Sequence, residues 1–117
     1  MYKINKEFHF SSSHQLQGLP ESHPCSRLHG HNYVVNFHFQ SDKLNEVGFV
    51  IDYRALSSIK DFLDNTLDHQ HLNDVFSFNP SAENISKYLY EHFKEQFPQL
   101  FKVEVSETPK TKAVYEP

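Results

Sequence analysis

Apolar and polar positions alternate at the start of the chain. Tyr2, Ile4, Phe8 and Phe10 share one parity, the period of a half-buried strand. The run Ser11-Ser12-Ser13 is expected to end that strand just before His14. Residues 15–28 contain Gly18, Pro20 and Pro24 and read as a loop, which carries Cys25 and Arg27. A second alternating run extends from about His29 to Gln40. It sets Val35, Phe37 and Phe39 on one face and Val34, Asn36 and His38 on the other. After a polar turn over 41–46, Gly48-Phe49-Val50-Ile51 leads into Asp52, whose carboxylate suits a helix N-cap. Tyr53, Leu56, Ile59, Leu63 and Leu67 then recur at helical spacing and predict one helix ending near 68–73. Ser81 suits the cap of a second helix with Glu83 in its first turn and a stripe of Ile85, Tyr88, Leu89 and Phe93. Phe101, Val103 and Val105 predict a third strand. The turn at Pro109-Lys110 leads to a fourth at Ala113-Val114-Tyr115.

The order β-β-α-α-β-β predicts an α+β fold, a four-stranded antiparallel sheet with both helices on one face. Such a sheet has two open edges, and closure by oligomerisation would cover them. A chain of 117 residues is expected to form one domain, 1–117. Eleven Phe and no Trp predict a Phe-rich core. The net charge of −4 and the absence of a basic face argue against nucleic-acid binding. A single cysteine excludes an internal disulfide. No leader-like or membrane-spanning apolar segment is evident, so the expectation is a soluble, cytoplasmic protein without a membrane partner.

The candidate chemistry centres on His29-Gly30-His31. Side chains at i and i+2 of a strand point to the same side, so this pair can present two nitrogens to one ion. Gly30 leaves room for close approach. A metal that does chemistry takes three protein ligands and keeps one position open. His14, at the end of the first strand, is the third candidate. Cys25, the Asp68-His69 pair, Glu83 and Glu107 complete a set suited to proton transfer. Glu107 is in phase with Phe101, Val103 and Val105, and an acid in an apolar register needs a partner. Each also has a plainer reading: a satisfied buried His, a small apolar Cys, or a helix C-terminal cap at Asp68-His69. His9, His23, His38, His71 and His92 are read as packing or surface residues.

These residues fall within segments that jointly resemble the 6-pyruvoyl-tetrahydropterin synthase family. The segments are Phe10-Ser11-Ser12-Ser13-His14, Cys25-Ser26-Arg27-Leu28-His29-Gly30-His31-Asn32-Tyr33, Gly48-Phe49-Val50-Ile51-Asp52-Tyr53, Asp68-His69-Gln70-His71-Leu72-Asn73, Pro80-Ser81-Ala82-Glu83-Asn84 and Glu107-Thr108. They keep the family's order and span residues 8–115. The three-residue gap between Cys25 and His29 looks like the bacterial branch, the 6-carboxy-tetrahydropterin synthases of queuosine biosynthesis. The pyruvoyl-forming animal enzymes usually have a longer gap.

The resemblance implies the T-fold and a hexamer of two trimers, with each trimer's sheets closed into a barrel and active sites between subunits. It implies zinc held by His14, His29 and His31, Cys25 as base, and Asp68 and His69 as proton relay. Glu107 would anchor the pterin and complete the relay, with Ser81 and Glu83 as further substrate contacts. For the triphosphate the sequence itself offers Arg27 and nearby lysines as candidates. Where the family often has Pro-Thr-Ser-Glu, this chain has Pro80-Ser81-Ala82-Glu83, so Ala82 lacks a hydroxyl. Ser13 stands where an alanine is usual. The implied substrate is 7,8-dihydroneopterin triphosphate. Zinc would acidify the side-chain hydroxyls and Cys25 as thiolate would take a carbon-bound proton. Triphosphate and acetaldehyde would leave to give 6-carboxy-5,6,7,8-tetrahydropterin. Two alternatives stand beside this: a synthase that keeps the side chain and makes 6-pyruvoyl-tetrahydropterin, and a non-catalytic zinc-stabilised assembly module with Cys25 as fourth ligand.

Overall fold

Two long strands form the frame of the structure, a computed structural model that describes residues 1–117. Strand β1 (Tyr2–His14) pairs antiparallel with β2 (His29–Ser41) along its whole length, from Tyr2 opposite Ser41 to His14 opposite His29. Strands β3 (Leu100–Ser106) and β4 (Ala113–Tyr115) extend the sheet in the order β1-β2-β3-β4. The serines do not end β1. Ser11, Ser12 and Ser13 pair with Asn32, His31 and Gly30. Ladder bonds use the backbone and are indifferent to side-chain polarity. The inward Ser12 hydroxyl is satisfied by donating to the Leu67 carbonyl.

One face of the sheet is the core. Phe8, Phe10, Tyr33, Val35, Phe37, Phe39, Val103 and Val105 are buried there beneath the helices. The predicted first helix is a chain of three turns of different pitch: a 3-10 turn over Tyr53–Leu56, α1 (Ser57–Phe62), and a π turn over Leu63–Leu67. Asp52 caps its start by accepting from the Arg54 N–H at 2.9 Å. Leu56, Ile59, Leu63 and Leu67 are buried as the spacing predicts. Tyr53 is exposed instead, because regular helical periodicity begins only with α1. The π turn closes on the wide bond from Asp68 N–H to Leu63 carbonyl, 2.8 Å, and hands the chain directly to Asp68 and His69. A short α2 (Leu72–Val75) follows. In α3 (Ala82–Lys94), Ser81 accepts from the Asn84 N–H at 3.2 Å, and Ile85, Leu89 and Phe93 face the sheet.

The third strand departs from its predicted register. A shift between His38 and Phe39 sets Leu100 opposite Phe39, so Leu100 takes the buried position. Phe101 lies on the other face, with the Lys3 ammonium 5.2 Å from its ring centre. Past this irregularity Val103 and Val105 point inward, and Glu107 continues their parity towards the end of the sheet that carries His14 and His29. On the opposite face Glu104 bonds His38 and stands 3.4 Å from Lys112.

Phe37 meets Phe8 and Phe93 edge to face, with centroids 5.7 and 5.6 Å away. Phe37→Ala should cost about 3–5 kcal/mol, read as a lower urea midpoint, a large share of a typical ~5–15 kcal/mol stability. Burial pushes the Glu104 carboxyl up, but His38 and Lys112 together outweigh it and hold the group below its ordinary range. A carboxylate so held stabilises the fold above its unfolded value of about 4.3, and that contribution fades as pH falls through the folded value. Glu104→Gln should therefore weaken the protein at neutral pH and leave it near wild type in acid. An equal loss at both would contradict the ion-pair reading.

Candidate active site and metal centre

The register of β1 and β2 places three imidazoles on one face at the end of the sheet. His14 and His29 are directly opposed, and His31 lies two residues along β2. Their ligand nitrogens all fall within 4.8 Å of one another, so the cluster can hold a metal ion. The orientation of two rings is fixed from behind. His14 Nδ1 lies 2.7 Å from the Pro80 carbonyl and His29 Nδ1 lies 2.7 Å from the Arg27 carbonyl. Each Nδ1–H donates there, which leaves Nε2 as the lone-pair atom, the arrangement usual behind metal-binding histidines. The Nε2 atoms of His14 and His29 are 2.9 Å apart. Two lone pairs so close need a proton or a cation between them. His31 Nε2 is buried with no hydrogen-bond partner, and such an atom is costly unless something binds it. The donor set therefore fits a divalent, nitrogen-preferring metal such as zinc.

Glu107 stands beside this cluster, its Oε2 3.2 Å from Nε2 of both His14 and His31. With a proton rather than a metal ion on Nε2, the His14 ring donates to this carboxyl and does most to hold it below the ordinary range. Partial burial opposes this, and His31 and His29 add to the pull. Burial lowers His31 from its usual value against the opposing effect of Glu107, and His14 and His29 lower it further, which favours the neutral, metal-binding form. Tyr33 packs beneath, its hydroxyl 3.2 Å from His14 Nδ1, and burial followed by the charge of Glu107 raises its phenol.

The segment 68–71 is laid along the outer edge of β1. The Ser11 N–H donates to Asp68 Oδ1 at 2.8 Å, the His69 N–H to the Ser11 carbonyl at 2.7 Å, and the Ser13 N–H to the Gln70 carbonyl at 3.1 Å. These bonds hold His69 at φ +58°, a left-handed conformation that non-glycine residues rarely adopt. Its side chain is 82% exposed, with Nε2 3.5 Å from Asp68 Oδ2. Asp68 thus both caps the π turn through its backbone N–H and anchors the segment to β1 through its side chain.

The side chains of the remaining candidates are not part of the histidine cluster. Cys25 sits half-buried in the 3-10 turn Pro24–Ser26, its N–H donating to His23 Nδ1 at 3.0 Å. Neither it nor Arg27 lines the cavities around His31. Arg27 contributes its carbonyl to His29. The Ser81 hydroxyl oxygen is engaged in capping α3, and the Glu83 side chain is exposed on the first turn of that helix. Gly30 does not need a positive φ. A Cβ there would lie 3.4 Å from the Ser12 carbonyl, at the limit of ordinary contact. Sequence reasoning missed Pro80, Tyr33 and His71. His71 Nδ1 lies 2.9 Å from Ser13 Oγ. A carbonyl acceptor such as that of Pro80 leaves no trace in side-chain patterns.

The family model described as 6-pyruvoyl tetrahydropterin synthase matches residues 3–117. A 6-carboxy-5,6,7,8-tetrahydropterin synthase of Synechocystis is 36% identical over 98% of this chain and 93% of its own. One of Bacillus subtilis is 31% identical over 99% of this chain and 86% of its own. Among solved structures, the 6-pyruvoyl tetrahydropterin synthase of Caenorhabditis elegans superposes with a TM-score of 0.87 at 26% identity, covering 99% of this chain and 95% of that one.

Metal analysis tests the centre directly. The purified protein should carry about one metal ion per chain, and His29→Ala should reduce this to traces with the circular dichroism spectrum retained. Full metal content in His29→Ala would remove His29 from the ligand set.

Proposed function

The chain belongs to the 6-pyruvoyl tetrahydropterin synthase family and carries its T-fold, and on that footing we propose that it acts as a 6-carboxy-5,6,7,8-tetrahydropterin synthase. With one water consumed, it converts 7,8-dihydroneopterin triphosphate to the carboxypterin with release of acetaldehyde and triphosphate, a lyase reaction serving queuosine biosynthesis. The observation that carries this reading is the convergence of His14, His29, His31 and Glu107 on one point, in a chain whose relatives of 31% and 36% identity bear that name.

Zinc held by the three histidines would supply a Lewis acid that makes the substrate's side-chain hydroxyls easier to ionise. The chain's own groups do the rest. Glu107, ionised, accepts hydrogen bonds from the pterin amino and ring N–H groups. Cys25 removes the proton from the first side-chain carbon. His69, oriented by Asp68, carries protons to and from the second hydroxyl. Ser81, Glu83 and Arg27 are further substrate contacts in this reading.

Cys25 and the Asp68-His69 pair belong to different parts of one chain. A homohexamer of two trimers, with sites between subunits, would let different chains supply them. Open sheet edges support this assembly. Segment 68–71 covers β1 only near Ser11–Ser13, and β4 is three residues long. No helix is long and apolar enough to cross a membrane, and we place the protein in the cytoplasm.

Incubation with 7,8-dihydroneopterin triphosphate should yield the carboxypterin, identified by mass, and acetaldehyde. Retention of the three-carbon side chain in the product would assign the pyruvoyl reaction instead. Cys25→Ala should keep its metal and lose about 10²–10⁴ in kcat. Loss of metal in that variant would make Cys25 a ligand, and undiminished turnover would remove it as base.

A further inference from the structure

Two cavities meet at Gly30, His31 and Asn32, which line both. One, of about 620 Å³, opens past Glu107 and Thr108. The other, of about 540 Å³, lies between Ser11–Ser13 of β1 and the segment His69–His71, and none of its lining residues is apolar or acidic. His71 is a group the reaction scheme leaves unused. Its Nδ1 faces Ser13 Oγ at 2.9 Å. Its Nε2 has no protein partner and is not among the buried unpartnered atoms, so it is open to solvent in the cleft. With the Ser13 hydroxyl donating to Nδ1, the neutral ring carries its single proton on Nε2.

The two cavities differ in the ligand chemistry they suit. A flat heterocycle rich in N–H groups needs an acceptor, and Glu107 supplies one in the first. A polyphosphate needs donors and the absence of carboxylates, since each exposed acid beside it repels. The second cleft offers His69, His71 and the amides of Asn32 and Gln70; no acid lines it, and the Asp68 carboxylate beside it is taken up by the Ser11 N–H and by His69. His31 of the metal cluster stands between them, where the carbons that react must lie. We propose that the acid-free cleft receives the triphosphate-bearing side chain of the substrate, and that His71 is a specificity-determining residue that donates Nε2–H to a phosphoryl oxygen. This inference rests on the reaction proposed above and fixes the direction in which the substrate lies across the metal centre.

The test compares wild type, His71→Phe, His71→Gln and Ser13→Ala, each checked for metal content, with inorganic tripolyphosphate as probe. A hydrogen bond to a charged group is worth about 10- to 100-fold in binding. His71→Phe should raise KM for dihydroneopterin triphosphate at least about tenfold, with kcat changed little, and weaken tripolyphosphate inhibition by a similar factor. His71→Gln, which keeps an N–H donor, should recover part of the loss. Ser13→Ala, which removes only the orienting hydroxyl, should show a smaller effect of about threefold. The two substitutions His71→Gln and Ser13→Ala decide the matter should His71→Phe not fold. If wild type turns over and the variants leave KM and tripolyphosphate inhibition unchanged, the proposal is overturned. If wild type does not turn over, tripolyphosphate binding that weakens in the variants at constant metal content upholds the cleft while the reaction assignment fails. Binding that is absent, or equal in all four proteins, overturns the cleft itself.

Discussion

Everything at the candidate site depends on the register between β1 and β2. His14 opposes His29, and parity then places His31 on the same face. A slip of one residue would turn His14 to the other side of the sheet and scatter the donors. The register is held by the core. The same parity buries Phe8 and Phe10 from one strand and Tyr33, Val35, Phe37 and Phe39 from the other, so a slip would expose a row of aromatic rings. At roughly 1.5–3 kcal/mol for each fully buried side chain, the apolar end of the sheet fixes the geometry of its polar end. The histidine cluster is thereby preorganised, with carbonyls of the loops behind His14 and His29 setting the rings.

A second constraint arises from the change of pitch in the first helix. The π turn over Leu63–Leu67 keeps both leucines in the core and ends with Asp68 turned back against β1. His69 must then accept a left-handed backbone. This is local strain that five contacts between β1 and the helix end make tolerable: the Asp68 side chain on Ser11, the His69 and Gln70 backbone bonds, and the Ser12 and Ser13 hydroxyls. The three consecutive serines read as a strand terminator in the sequence. In the structure they are the means by which a long strand binds this segment on its edge.

The α+β layout was legible because β2 and α3 carry unmixed periodicities and true caps, such as Ser81. The histidine cluster was legible from the His-x-His spacing on a strand, and Glu107 from its parity with Val103 and Val105. Phe101 misled, since one β-irregularity at His38/Phe39 reverses parity and nothing local marks it. The pitch changes around α1 were hidden for a related reason: Leu56, Ile59, Leu63 and Leu67 fit an ideal helix equally well. His71 could not be distinguished from a surface histidine, because its partner Ser13 is 58 residues away.

The central claim is that three imidazoles hold a catalytic metal while Cys25 remains free to act as a base. X-ray absorption at the zinc edge on the purified protein tests it most directly. A three-histidine site gives only light scatterers around the metal, with imidazole nitrogens at about 2.0–2.1 Å and the outer-ring scattering that histidine gives. A sulfur scatterer at about 2.3 Å would place Cys25 on the metal, close the site, and rule Cys25 out as the base.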